Sequence, residues 1–513
     1  MYKEKILSLD ALAAIAENHR KQGKKIILCH GCFDLLHIGH IRYLNKARSL
    51  GDELLVTLTA DEYVNKGPGR PVFPAQLRAE HMAALSMVSY VAVNHAETAV
   101  NVLNKIKPHF YVKGNEYENA DDDLSGNIRL EQQATEQWGG KIFFTNEATF
   151  SSSTLLNQNF NLFPPETENY LKRISQHHNI DEIVAQVEQL RGLKVAVIGD
   201  AIIDEYHYTE PLGQTGKGNV LAVKYQSMEK FAGGSIAVAN HVAGFVDQVT
   251  LLTALGKENS EEQFIRDKLG KNVTPEFLYF TSAPTLVKRR YVDADSSAAK
   301  LFEVYFYEEE PREHALEQAA CQWIKQNLSQ FDLVVVSDFG NGFITGCMTQ
   351  SICDEARFLS VNTQVNSGNR GYHVITRYPH ADFVSLNEPE LRLAAHDRHS
   401  SLNEIAIQIS GLLKATKIAI TRGTQGAMML SVNPKDASVR EYECPALSTK
   451  IVDRVGAGDS FLSLASLCLA GGMSPETSLF VASSAAALDV QIVCNRESID
   501  SVSLYKYMNT LLK

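Results

Sequence analysis

Two successive runs of alternating strand-length and helix-length segments, separated by one break in the rhythm, constrain this 513-residue chain more than any other feature. From Lys25 to about Phe160 the apolar runs KIILC, ELLVTLT, YVAV, HFYV and KIFF are separated by stretches long enough for a helix. Strands that recur with helices between them pair in parallel, because the crossover helix returns the chain to the same end of the sheet. The pattern therefore predicts an α/β domain with a Rossmann-like, doubly wound parallel sheet. Residues 161–190 break the rhythm with Pro164-Pro165 and the polar amphipathic stretch ISQHHNIDEIVAQVEQL, which reads as a linker. At Leu193 a second αβ pattern opens with LKVAVIGD and runs through NVLAVKY, TLVKRRYV, DLVVVS, DFVSL and KIAIT. The expected organisation is a first domain over 1–160, a linker over 161–190 and one large α/β domain over 191–513.

At 44% hydrophobic and 21% charged, the chain can bury such cores. Its 49 basic and 60 acidic residues leave a formal charge of -11, which opposes nonspecific attraction to nucleic acid or anionic lipid. Phosphate must then be bound by local devices, and the expected partners are small molecules, with no nucleic acid and no membrane; a homo-oligomer stays open. The N-terminal stretch MYKEKILSLDALAAIAENHR lacks an apolar signal core, and the apolar stretch Phe461 to Met473 is too short to span a bilayer, so a cytoplasmic location is expected. The eight cysteines show no framework spacing, which suits free thiols in a reducing compartment. Cys29 and Cys32 form a C-x-x-C without a second pair and read as packing residues, and Asp121-Asp122-Asp123 reads as a solvated loop.

Residues Cys29 to Gly51, CHGCFDLLHIGHIRYLNKARSLG, read as a strand, a glycine turn and a helix opening near His37. In the H-x-G-H spacing, Gly39 lets backbone approach a phosphate that two imidazoles, His37 and His40, and a helix N-terminus also face. That arrangement stabilises charge on an α-phosphate and a departing pyrophosphate, chemistry that needs positioning and positive charge more than a covalent nucleophile.

This segment resembles the cytidylyltransferase-like nucleotidyltransferases, with KGPGRPV at Lys66 to Val72, then Arg78, VKGNEY at Val112 to Tyr117 and FSSST at Phe150 to Thr154 in that family's order. With the lead-in SLDALAAIAENHRKQGKKI it is most similar to the heptose-1-phosphate adenylyltransferase branch. The resemblance implies catalytic roles for His37 and His40, and nucleotide or phosphate contact by Phe33, Asp34, Gly39, Arg78, Lys113, Gly114, Ser152, Ser153 and Thr154. Lys66 and Arg42 are further candidates, each of which could equally be a surface cation. Cytidylyltransferases that make CDP-glycerol carry an arginine where this chain has Glu147, which argues against assigning CTP and favours the adenylyl branch.

In the second domain, DRVGAGDSF at Asp453 to Phe461 precedes an apolar helix. Gly456, Ala457 and Gly458 can turn N–H groups toward a transferring phosphoryl group, and Asp459 sits where it can take the proton of an attacking hydroxyl. From Leu193 onward the chain resembles the ribokinase-like (PfkB) sugar kinases, which implies a fold with a small β lid. By that resemblance Asn387 and Glu390 match an N-x-x-E that helps hold magnesium and phosphate, while Thr421, Gly423 and Gly426 form the loop beneath the nucleotide. Asp200, Asp204, Gly233 and Gly234 match positions that face the sugar. Asp338 either approaches the sugar or caps its own loop. Ala237 departs from the asparagine usual in that family, and GQTGKGNVLAV replaces the proline-rich lid segment of the heptose kinases.

Heptose kinases and heptose-1-phosphate adenylyltransferases occur fused with the kinase first; here the two resemblances stand in reverse order. Together they imply a bifunctional enzyme that phosphorylates a sugar or sugar phosphate with ATP and Mg2+. It would then join the sugar 1-phosphate to a nucleotide from ATP or CTP, releasing pyrophosphate. A kinase and cytidylyltransferase for another sugar or polyol is the first alternative. A non-catalytic nucleotide-sugar-binding regulator is the second, and the presence of His37, His40, Asp459, Asn387 and Glu390 together counts against it.

Overall fold

A two-residue strand that the pattern did not announce, β1 (Ile6–Leu7), precedes the five apolar runs of the first half, which become β2 (Ile26–Gly31), β3 (Glu53–Thr59), β4 (Tyr90–Asn94), β5 (Phe110–Gly114) and β6 (Lys141–Thr145). They form one sheet in the order β1-β4-β3-β2-β5-β6, every neighbouring pair parallel. The computed structural model describes residues 2–64, 70–115, 127–145, 163–295, 299–308, 313–369, 371–433, 436 and 438–512. β2 and β3 are buried along nearly their whole length, as expected of strands covered on both faces. The apolar faces divide into two cores, one around Ile27, Leu44, Val56, Met82 and Val112, the other around Leu12, Leu28, Leu55, Leu103 and Tyr111. The strand order reverses between β2 and β5, where an open parallel sheet leaves a crevice at the strand C-termini.

The second half contributes β7 (Lys194–Gly199), β8 (Ala201–Gln214), β9 (Leu221–Gly234), β10 (Gln248–Gly256), β11 (Val273–Phe280), β12 (Leu286–Asp293), β13 (Ala299–Phe306), β14 (Leu333–Asp338), β15 (Leu359–Thr363), β16 (Phe383–Asn387), β17 (Lys417–Thr421), β18 (Ala427–Val432) and β19 (Val439–Cys444). Nine of them make one sheet, β11-β10-β7-β14-β15-β16-β17-β18-β19, parallel up to β17 and antiparallel thereafter. The other four form a separate sheet, β13-β12-β8-β9, which is the lid. Its longest pair is the β8/β9 ribbon, whose tip carries the segment GQTGKGNVLAV.

The chain divides into two compact units, residues 1–164 with 505–513, and residues 165–504. The stretch read as a linker is largely helical: Pro165–His177 and Ile180–Glu188 are helices of the second unit. Their amphipathic spacing buries Tyr170, Leu171, Ile174, Ile183 and Val187, which removes these segments from the class of free connectors. Among the described residues no helix is long and apolar enough to cross a membrane.

Candidate active sites

In the first unit β2 ends at Gly31 and the chain turns through Phe33, a non-glycine residue held at φ 47°, into the helix Ile38–Arg48. His37 is the N-cap of that helix, and its Nδ1 accepts the Gly39 N–H at 3.1 Å. The neutral ring then carries its proton on Nε2, a buried nitrogen with no partner among the described residues. Burial holds the His37 pKa below the usual imidazole range, which keeps the ring in this donor form at neutral pH. The His40 ring lies 4.0 Å from that of His37, and the Phe33 ring meets His40 edge-on at 5.4 Å. The expected pair of imidazoles is thus assembled on the first helical turn.

Several other candidates turn out to build the site's frame. Gly39 commits its N–H to His37, so it shapes the cap and offers no free donor to phosphate. Asp34 accepts the Val72 and Phe73 N–H groups at 2.7 and 3.1 Å and pairs with Arg70, tying the turn to the segment that follows Gly69. Arg78, expected at a phosphate, is fully buried and donates to the carbonyls of Phe73, Cys32 and Thr59 and to Asp61 at 2.5–2.8 Å. A guanidinium with this many internal acceptors is a strut between the β2 and β3 loops. Lys113, expected at the nucleotide, pairs with Glu131 at 2.9 Å; that carboxylate also accepts from Tyr111. Gly114 closes β5 opposite Thr145, and Arg42 is exposed on its helix. Lys66, Ser152, Ser153 and Thr154 lie outside the described residues, as do Asp121–Asp123 and Glu147. Sequence reasoning passed over His30, which is bonded to Thr57 at 2.9 Å; burial, then Lys113, push its pKa down to about 3, so it is a neutral residue of the strand end.

In the second unit Asp459 stands in the first turn of the helix Ala457–Ala470, whose N-cap is Gly456 at φ 102° with no side chain capping it. The Asp459 and Ser460 N–H groups donate to the Gly456 carbonyl at 2.8 and 3.0 Å, while the start of the helix at Ala457 and Gly458 has no side-chain cap, the arrangement that suits an anion. Gly458 opens onto free space, with no atom near the position a Cβ would take. The Asp459 carboxyl is pushed up to about 7, first by burial, then by Asp204 and Glu390, against the opposing pull of Lys288. A carboxyl of that pKa can hold or release a proton near neutrality, which is what a general base requires.

Asp204 is buried on β8 and forms an ion pair with Arg290, which also bonds Glu303 at 3.0 Å. Directly opposite Asp204 on β12 lies Lys288, buried, with its ammonium 5.6 and 5.5 Å from the Tyr305 and Phe339 ring centres. Lys288 and Arg290 were hidden in TLVKRRYV. The available signal was their i, i+2 spacing, which puts both cations on the face of β12 that carries Asp204 on β8. Gly233 leaves room for the Asp204 carboxylate and Gly234, at φ 59°, for the Asp200 carbonyl, so this glycine pair serves close packing.

Asp200 points inward and accepts the Phe339 and Phe343 N–H groups at 2.9 and 3.4 Å; burial and then Asp338 push it up to about 6. Asp338 is 1% exposed and saturated by His373, Arg377 and Tyr378 at 2.6–2.8 Å. It also accepts the Gly340 N–H, so of its two expected roles the structure displays loop capping. Asn387 and Glu390 form a capping box, each accepting the other's backbone N–H at 2.9 Å, with Val365 N–H on the second Glu390 oxygen. Burial pushes Glu390 up to about 7. These are oxygen donors only, fitting a hard divalent cation held chiefly by phosphates and water. Among the described residues no group of three His, Cys, Asp or Glu side chains is placed to hold a metal by itself. Thr421 ends β17, and Gly423 and Gly426, both at positive φ, make the tight turn to β18.

The cytidylyltransferase-like family matches residues 28–159 and the pfkB family of carbohydrate kinases matches residues 193–500. Over its N-terminal part the chain is 40% identical across 141 residues to "Bifunctional protein HldE" of Methylobacillus flagellatus, covering 27% of this chain and 28% of that one. It is 39% identical across 140 residues to the protein of the same name from Geobacter sulfurreducens, covering 27% of each. The matches thus span under a third of the length of these curated relatives. A crystal structure of phosphofructokinase-2 from Escherichia coli in complex with potassium superposes with a TM-score of 0.50 at 16% identity, covering 63% of this chain and all of that one, a likeness of fold alone.

Proposed function

This chain belongs to the pfkB family of carbohydrate kinases, with a cytidylyltransferase-like domain ahead of the kinase domain, and on that footing we propose that it activates a sugar in two steps. The kinase site transfers a phosphoryl group from ATP to a hydroxyl of a sugar or sugar phosphate. The nucleotidyltransferase site then joins the sugar 1-phosphate to a nucleoside monophosphate and releases pyrophosphate. A heptose phosphate and an ADP-heptose are the favoured substrate and product, supported by the resemblance of the first domain to heptose-1-phosphate adenylyltransferases, while the relatives that the N-terminal part matches are named as bifunctional.

The observation that carries the reading is the Asp459 carboxyl, pushed up to about 7 beside an uncapped helix N-terminus. Asp459 takes the proton of the attacking hydroxyl while the N–H groups after Gly456 receive the charge on the phosphoryl oxygens. Magnesium bound with the nucleotide near Asn387 and Glu390 would neutralise phosphate charge. In the other unit the buried, unpartnered His37 Nε2–H would donate to a phosphate oxygen as negative charge grows during displacement of pyrophosphate.

The purified chain, supplied with a panel of sugars and sugar phosphates and each nucleoside triphosphate, should release ADP and pyrophosphate and yield a nucleotide sugar by mass spectrometry. No turnover with any pair would refute the proposal. A different sugar or polyol is the second reading, favoured by Ala237, which is buried and offers no hydroxyl contact, and by the exposed ribbon tip of the lid.

A further inference from the structure

Eight cysteines are all unpaired by disulfides in this structure, and seven of them are buried or partly buried. The exception, Cys347, lies in the first turn of the helix Gly346–Glu355 and is exposed. It is also the one with a thiol beside it: Cys321, buried in the helix His314–Asn327, donates to the Cys347 sulfur at 3.0 Å. The two helices pack together in the core that includes Ala320, Ile324, Met348 and Ile352, so the proximity is fixed by apolar packing across 26 residues of sequence. A disulfide bond is about 2.05 Å long, so closing this pair needs a movement of roughly 1 Å.

We propose that Cys347 and Cys321 are a reversible disulfide site, closed by a peroxide. Burial, then the neighbouring sulfur, push the Cys321 pKa up to about 12, which leaves the first attack to the exposed partner. The Cys347 sulfur attacks the peroxide O–O bond, becomes a sulfenic acid and releases water. The Cys321 sulfur then displaces the sulfenic oxygen, its proton leaving with that oxygen as a second water. Two thiols are oxidised and one peroxide is reduced to two waters; a dithiol reverses the bond by exchange.

The consequence for the kinase rests on the reading of the second site given above. The segment between Asp338 and the helix start supplies the Phe339 and Phe343 N–H groups to Asp200, the latter at a long 3.4 Å, and the Ile344 carbonyl to Arg377. A bond at Cys347, three residues past Ile344, pins the far end of that segment. Because that segment holds Asp200, the tether should raise the KM for the sugar acceptor on oxidation and leave the KM for ATP unchanged.

The test treats the full chain with hydrogen peroxide and maps its peptides without reduction. The expected result is a single Cys321–Cys347 linkage, a fall from eight free thiols to six, a melting temperature higher by roughly 5 °C, and reversal by dithiothreitol. C347S should lose no thiol under the same treatment. A linkage between other cysteines, sulfinic acid at Cys347 with Cys321 untouched, or the same thiol loss in C347S would overturn the site. A mapped linkage with an unchanged sugar KM would overturn the coupling to the kinase. Absence of kinase turnover before oxidation as well as after it would instead defeat the kinase reading, with the peptide map still deciding the disulfide.

Discussion

A Cβ placed on Gly456 would lie 2.7 Å from the Asp489 carboxylate and 2.5 Å from the Asn495 amide oxygen. The glycine therefore meets two independent demands, a φ of 102° and the absence of any side chain. Gly456→Ala should lower stability by about 1–3 kcal/mol and, on the proposed mechanism in which the same turn presents N–H groups to phosphate, remove most kinase turnover. Denaturant melts and ADP release check this together; normal turnover with an unshifted midpoint would contradict it.

Asp459→Asn should cut ADP release by about 10² to 10⁴-fold while pyrophosphate release from a supplied sugar 1-phosphate is retained. In the parental chain the kinase kcat/KM should fall about tenfold per pH unit below 7, since the base must be ionised. The effect on stability has the opposite sense. A carboxyl whose folded pKa is raised binds its proton more tightly when folded, so its ionisation destabilises the fold progressively from about pH 4 upward through 7. The asparagine variant should accordingly melt higher than the parent at pH 8 and nearly level with it at pH 4. Equal melting at both values would remove Asp459 from the buried, base-like role.

For the nucleotidyltransferase, replacing the His37 donor should reduce the kcat for pyrophosphate release by about 10² to 10³-fold with little change in nucleotide binding. His37→Asn keeps a side chain that can cap the helix by accepting the Gly39 N–H, so the melting temperature should hold. A variant that melts early yet turns over at the parental rate per folded molecule would make His37 a capping residue alone.

Arg78 gives the contrasting outcome. Arg78→Met removes a buried guanidinium and strands the carbonyls of Cys32, Phe73 and Thr59, which should destabilise the first unit by about 3 kcal/mol. Calorimetry on the full chain checks it, and a raised nucleotide KM with unchanged melting would restore the direct phosphate role.

What could be read ahead of the structure follows a physical division. KIILC and DLVVVS announce central strands because a strand buried on both faces has no polar alternation to obscure it. The two-faced lid strands were harder: β13 is mostly exposed, with Phe302, Val304 and Phe306 outward, and its composition resembles a loop edge more than a core strand. Helix N-termini were legible through their glycines and histidines. Side-chain allegiance was not, since Arg78 and Asp338 look like ligand-binding charges until their partners, 17 and 39 residues away in sequence, are known. Cys321 and Cys347 show no motif, since only the packing of two helices makes them neighbours.

Asp204 is the fourth residue of β8, a strand that runs to Gln214 at the exposed tip of the ribbon, its pairing with β9 shifting register between Tyr208 and Thr209 and between Pro211 and Gly213. The group expected to grip the acceptor and the outermost point of the lid are thus parts of one strand. A change at the ribbon tip that shifts Asp204 should therefore alter acceptor preference and, through the charge that Asp204 sets near Asp459, the pKa of that carboxyl as well.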